Sequence, residues 1–260
     1  MSHEVHFAQS NKISEEEQTS INQLKEKLSE VLKDAELPDD YKLWGITLSA
    51  TSTDQRLDVI LYKFLKARCF NLDEAKEMLT NSLKWRKSFK TDTILDEKFP
   101  EDPFSRIGII HKTDKLNRPV TYNFYGGLDN QQVFGDLDRF LRWRIQLMEK
   151  GIQRLDFITV DQMLQVHDYD QVSLSSYRTA KVASKTVTEI MQNHYPEFLA
   201  VKFFINVPWW GDMMFKFISY FLSEETKKKF IVTSSDVKNN LLLYITEENI
   251  PSKYGGKSEL

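Results

Sequence analysis

The sequence predicts an α/β fold, a helical N-terminal lobe followed by a mainly parallel sheet with helices between its strands. Three observations carry this. Apolar residues recur at helical spacing up to Trp85, and glycine is absent before Gly108 apart from Gly45. From about residue 105, short β-rich runs alternate with helical stretches of more than ten residues. Lys202 to Val207 is a near-continuous apolar run, as in a strand buried on both faces.

The elements follow in order. Residues 1–19 are polar and acidic, without the apolar core of a signal peptide, and are expected to form a flexible tail. Ile21, Leu24, Leu28, Val31 and Leu32 make a first helical stripe, and Leu57, Ile60, Leu61, Phe64 and Leu65 a second. Asn71, with Asp73 and Glu74 behind it, caps a helix carrying Ala75, Met78, Leu79 and Leu83. The helical lobe is expected over 20–100 and the sheet domain over 101–260. Within the latter, Arg106–His111 and Val120–Tyr125 form a strand pair around a turn at Asp114–Pro119. A helix is expected from Asp136 to Leu155, β structure over Phe157–Tyr169, a helix over Leu174–Asn193, and a last strand at Phe230–Thr233.

Composition narrows the function. A net charge of −3 gives no basic field for nucleic acid. The 17 Phe, 10 Tyr and 5 Trp against 9 Gly favour a bulky, aromatic-lined interior. Cys69 is the only cysteine, which excludes an internal disulfide and fits a reducing compartment. No stretch reaches the ~20 apolar residues of a membrane span, so membrane contact is expected to be peripheral. GxSxG, HExxH, Walker and GxGxxG motifs are absent.

Four features point to binding. On a strand over Gln162–Tyr169, Met163, Gln165, His167 and Tyr169 share one face and Leu164, Val166 and Asp168 the other. His167 and Tyr169 read either as a hydrogen-bonded pair lining the sheet or as iron ligands, Tyr being a known axial haem ligand. Arg144 lies within the apolar stripe of its helix. It reads either as held by an anionic partner in a pocket, such as a phenolate or carboxylate, or as an internal salt bridge or a snorkelling arginine at the helix edge. Trp209–Phe221 (Trp209, Trp210, Met213, Met214, Phe217 and Phe221 among them) is apolar nearly all round and reads as a core helix or a movable lid. Lys227–Lys229 follow it, where anionic headgroups would gather.

Phe64-Leu65-Lys66-Ala67-Arg68-Cys69-Phe70-Asn71-Leu72 with Lys84-Trp85-Arg86 resembles the N-terminal lobe of CRAL-TRIO lipid-transfer proteins. Asn193–Glu197 with Phe204–Pro208, and Asn249–Gly256, resemble the body of that domain. The resemblance runs from about residue 40 to 260. It implies a CRAL-TRIO fold in which the sheet floors a deep apolar pocket closed by a gate helix at Trp209–Phe221. It further implies a non-enzymatic cytoplasmic carrier of phosphatidylinositol that visits the endoplasmic reticulum or plasma membrane. The headgroup residues would be Arg68, Glu197, Thr226 and Lys229. The hydroxyl pair that serves phosphatidylcholine falls on Met163 and Gln165, so little phosphatidylcholine binding is expected.

Gln165–Tyr169, with Leu147–Gly151 and Ser184–Val187, is similar to a divergent fungal subgroup of phosphatidylinositol transfer proteins that binds haem. That resemblance implies haem b with Tyr169 as axial ligand and metal donor, His167 beside it, and Arg144 and Lys202 near the propionates. The subgroup's further haem-contacting Tyr falls on Arg68 here. The alternatives are a plain phosphatidylinositol carrier without haem, and a haem-dependent peroxidase-like enzyme.

Overall fold

The computed structural model describes residues 13–211, 215, 216, 219, 220, 222 and 224–260. The chain forms two compact units. The first runs to Lys90 and adds residues 156–161 and 193–197, and the second holds 91–155, 162–192 and 198–260. Along the chain the two units first part at Lys90–Thr91.

In the first unit, α1 (Glu15–Glu26) starts with a capping box in which Ser14 and Glu17 satisfy each other's backbone N–H groups. The helix begins inside the segment expected to be a flexible tail, because Ser14 and the acids behind it nucleate its first turn. The stripe read as one helix is two, α1 and α2 (Leu28–Asp34), with Lys27 ending one and starting the other. β1 (Lys42–Leu43) and β2 (Ile46–Thr47) form a short antiparallel pair. α3 (Gln55–Lys66) is capped by Asp54, and α4 (Leu72–Phe89) by Asn71, whose side chain accepts from the Glu74 N–H. Ile21, Leu24, Leu28, Leu57, Leu61, Phe64 and Leu79 are wholly buried in this unit. Arg86 lies over the Trp44 ring at 5.5 Å.

The second unit is built on a five-stranded sheet in chain order, β3 (Gly108–Thr113), β4 (Pro119–Phe124), β5 (Met163–Asp168), β6 (Leu199–Ile205) and β7 (Phe230–Thr233). β3 and β4 are antiparallel, and every later pairing is parallel. The β3–β4 turn is closed by Asp114, whose carboxylate accepts the Arg118 N–H at 2.8 Å and the Arg118 Nε–H at 2.7 Å. The crossovers are helical. After the short α5 (Glu101–Phe104) and α6 (Asn130–Phe134), α7 (Leu137–Ile152) is capped by Asp136, and α8 (Leu174–His194) follows β5. Gly108 lets α7 lie close on the sheet, since a Cβ there would stand 2.8 Å from both Trp143 and Leu147.

The expected β structure over Phe157–Tyr169 is shortened to β5. Ahead of it, Asp156 accepts backbone N–H groups from Ile158, Thr159 and Val160 at 2.7–2.9 Å and winds 156–161 into a loop. Those bonds, with the Thr159 hydroxyl, hold the Asp156 carboxyl down to about 2 against its own desolvation.

Candidate functional site

The strand face singled out by alternation is real, and the sheet register adds to it. β4 pairs with β5 so that Asn123 lies beside His167, and β6 places Phe204 on its other side. Tyr125 follows β4 directly, and its ring stands 5.5 Å from both His167 and Tyr169. Tyr169 stacks on Phe204 at 6.1 Å and 20°. It packs against a cluster of Phe204, Trp210 and Phe230, which Phe215 and Leu222 also join.

Polar contacts on this face form a chain. The Tyr125 hydroxyl is 3.1 Å from His167 Nδ1, and His167 Nε2 is 3.4 Å from Gln165 Oε1. The same Gln165 oxygen accepts from Arg144 Nη2 at 3.4 Å. An oxygen already facing a guanidinium is an acceptor, so Nε2 must bear the imidazole proton and Nδ1 must accept from Tyr125. His167 is neutral, held well below the usual imidazole range by burial and then by Lys202 and Arg144. Neither ring nitrogen keeps a lone pair for a metal.

Arg144 is 3% exposed. Of the two partners the sequence allowed, no internal salt bridge is found for it among the described residues, and burial lowers its pKa. Lys202 is half-buried with its Nζ over the rings of Phe204 and Phe230, 5.3 and 5.7 Å from their centres. Desolvation, then repulsion from Arg144, brings its ammonium down to about 7. Two enclosed cations thus meet one amide oxygen and two ring faces, an arrangement that suits a ligand with carboxylates. Asp168 points the other way, as alternation requires, and takes Tyr254, Lys253 and Asn206 at 2.7–2.8 Å.

The expected headgroup residues divide between the units. In the first, Arg68 donates to the Ala67 carbonyl at 2.9 Å and Glu197 Oε2 is 3.7 Å from Lys66 Nζ. In the second, the Lys229 N–H donates to the Thr226 carbonyl at 3.1 Å, and the Lys229 carbonyl accepts from the Lys202 N–H at 2.8 Å. Met163 is buried and Gln165 belongs to the Arg144 chain, so neither presents a hydroxyl. Within the gate segment, Trp210 is buried while Trp209 and Tyr220 are 90% and 86% exposed. Met213, Met214, Phe217 and Phe221 lie outside the described residues. A separate groove of about 500 Å³ between β3 and α7, lined by Gly108, Trp143, Lys150 and Arg154 among others, contains none of the expected site residues.

Sequence reasoning missed Tyr125 and the two Phe rings under Lys202. Their parity along each strand was readable. Their partners across the sheet were not, because a helical crossover fixes no register.

The CRAL/TRIO domain pattern matches residues 104–256, and the CRAL/TRIO N-terminal domain pattern residues 20–81. A phosphatidylinositol transfer protein SFH5 of Cryptococcus neoformans is 39% identical over 91% of this chain and 86% of its own length. Patellin-5 of Arabidopsis thaliana is 38% identical over 96% of this chain. The chain spans only 38% to 59% of the length of patellins 3 to 6. A crystal structure of Sfh5 superposes with a TM-score of 0.78 at 32% identity, covering 86% of this chain and 82% of that one. Fold, sequence pattern and relatives agree that the chain belongs to the CRAL/TRIO family, among the Sfh5-like phosphatidylinositol transfer proteins.

Proposed function

We propose that the chain binds phosphatidylinositol and transfers it between membranes, and that its sheet face also holds haem b with Tyr169 as axial ligand. The lipid reading rests on the relatives named for phosphatidylinositol transfer and on the identities of Arg68, Glu197, Thr226 and Lys229. Cations suit the phosphate, and Glu and Thr suit inositol hydroxyls. On α8, Val187, Ile190 and Met191 stay only half-buried, apolar surface that an acyl chain would cover. Exposed Trp209 and Tyr220 are residue types that settle at a bilayer surface, which fits transient contact with the endoplasmic reticulum or plasma membrane from the cytosol. The chain acts as a carrier on this reading, not as an enzyme.

One observation carries the haem reading, the buried Arg144 and half-buried Lys202, which have no carboxylate partner among the described residues and stand beside a phenol and a neutral imidazole. Haem b would supply a ferric centre and two carboxylates. Tyr169 would hold the iron as phenolate, and Arg144 and Lys202 would hold the propionates. His167, with both nitrogens engaged, lines the site, its tautomer set by Gln165 and its other nitrogen met by Tyr125.

The test is the visible spectrum of protein from cells supplied with haem precursor. A ferric high-spin spectrum lost in Tyr169→Phe is expected. A colourless protein that yields phosphatidylinositol on extraction would leave a plain lipid carrier. That outcome would reduce His167 and Tyr169 to lining.

A further inference from the structure

Lys63 is an enclosed cation of the first unit. It lies on the buried side of α3 between Ile60 and Phe64, with 1% exposure. An ammonium there is costly unless each of its three protons finds an acceptor. Each does. Lys63 Nζ donates to the Asp161 carbonyl at 2.8 Å, to Asp161 Oδ2 at 2.7 Å and to the Glu197 carbonyl at 3.1 Å.

The third contact is the informative one. Glu197 is a non-glycine residue in the left-handed region, φ 57°. That conformation is less favourable for a side-chain-bearing residue, so contacts that hold it matter. A charge-assisted bond to the carbonyl of the strained residue is such a contact. The backbone angle also sets where the side chain departs, and here it brings Glu197 Oε2 to 3.7 Å from Lys66 Nζ, one turn along from Lys63. The Glu197 side chain keeps 17% exposure, so its carboxylate is presented at a surface while its backbone is anchored beneath.

We infer that Lys63 is a positioning residue for Glu197: by gripping the Glu197 carbonyl it fixes the direction in which the carboxylate meets an inositol ring. The inference rests on the phosphatidylinositol reading above. It gives α3 a part in headgroup selection through a buried residue that never touches lipid. Lys66 belongs to the same arrangement as the cation that an inositol hydroxyl would displace from, or share with, the Glu197 carboxylate.

The experiment is a double-mutant cycle on the whole chain, reading transfer of fluorescent phosphatidylinositol between phosphatidylcholine vesicles. The variants are Lys63→Met, Glu197→Gln and the pair, each with its thermal midpoint. Each single change is expected to slow transfer roughly tenfold or more, the size of losing one charge-assisted bond. The double variant is expected to be no slower than Glu197→Gln alone. Losses that multiply in the double variant would overturn the inference, since Lys63 would then act on folding alone. So would wild-type transfer by Lys63→Met where Glu197→Gln fails. Wild-type transfer by Glu197→Gln would instead remove the headgroup reading, and the inference with it. Should Lys63→Met not fold, Lys63→Arg runs the same cycle. It keeps the charge but moves the donors, so a smaller loss is expected, again absent in the Glu197→Gln background.

Discussion

Two lysines, one in each unit, show how the chain treats enclosed charge. Lys63 on α3 is met by three oxygens and balanced by Asp161. Lys202 on β6 is met by two ring faces and pushed by Arg144. A cation whose protons are all taken by the protein is scaffold. A cation left to aromatic rings, which return ~0.5–2 kcal/mol, is held ready for an anion from outside.

Replacing each lysine by methionine should therefore have opposite effects on the ligand-free protein, and this is the largest contrast expected. Lys63→Met should lower unfolding free energy by roughly 2–3 kcal/mol, because it strands the Glu197 carbonyl and a loop anchor. Lys202→Met should leave it unchanged or raise it by up to ~2 kcal/mol, because it removes an uncompensated charge. Urea midpoints of the two variants measure the difference. Equal losses would break the comparison.

The second prediction sharpens it by pH. Unfolded, Lys202 keeps its proton to about 10.5; folded and unliganded, it releases it near 7. Between those values the unfolded chain binds more protons, so this group makes stability rise with pH from about 7 towards 10.5, with no slope below 7. Binding an anionic ligand restores the proton. Haem affinity should fall as pH rises above about 7. Calorimetry in buffers of different ionisation enthalpy should record more proton uptake by the wild type than by Lys202→Met, the proton released by the Tyr169 phenol being common to both. Arg144, His167 and Tyr125 share this environment, but Arg144 stays charged and His167 neutral across that range. Equal proton uptake by the wild type and Lys202→Met would place the carboxylates elsewhere.

The smallest expected effect lies in the first unit. His194 stacks on Trp85 at 4.2 Å with rings 3° apart, and burial, then Arg86, hold it down to about 4. The unfolded chain takes up this proton from about 6.5 downward while the folded one resists until about 4. Stability from this group is thus full above 6.5 and is lost as pH falls towards 4. His194→Phe keeps a stacking ring without the titration, and its acid unfolding curve should lose that slope. An unaltered slope would assign acid sensitivity to other groups.

Most of the scaffold was legible from local chemistry. Asn71 caps the helix expected after it, the helix expected from Asp136 starts there, and alternation along Met163–Tyr169 put His167 on one face and Asp168 on the other. The errors were local too. Ser14 starts a helix inside the expected tail, and Asp156 turns an apparent strand into a loop. The candidate site was half legible. Arg144 was visible as a charge on an apolar stripe, whereas its lack of a salt bridge, the neutral tautomer of His167 and the part of Tyr125 were not.

The sequence by itself determined what depends on neighbours within a turn or two: helix starts, strand faces, family motifs, and the identities of Arg68, Glu197, Thr226 and Lys229. Tertiary structure decided what depends on partners a crossover away. Tyr125 meets His167 across 42 residues, and Lys63 meets Glu197 across 134. The physical reason is range. Caps and alternation arise from hydrogen bonds and sterics between adjacent residues. The register of parallel strands joined by helices is set only when the whole sheet packs, and the fate of an enclosed charge is settled with it.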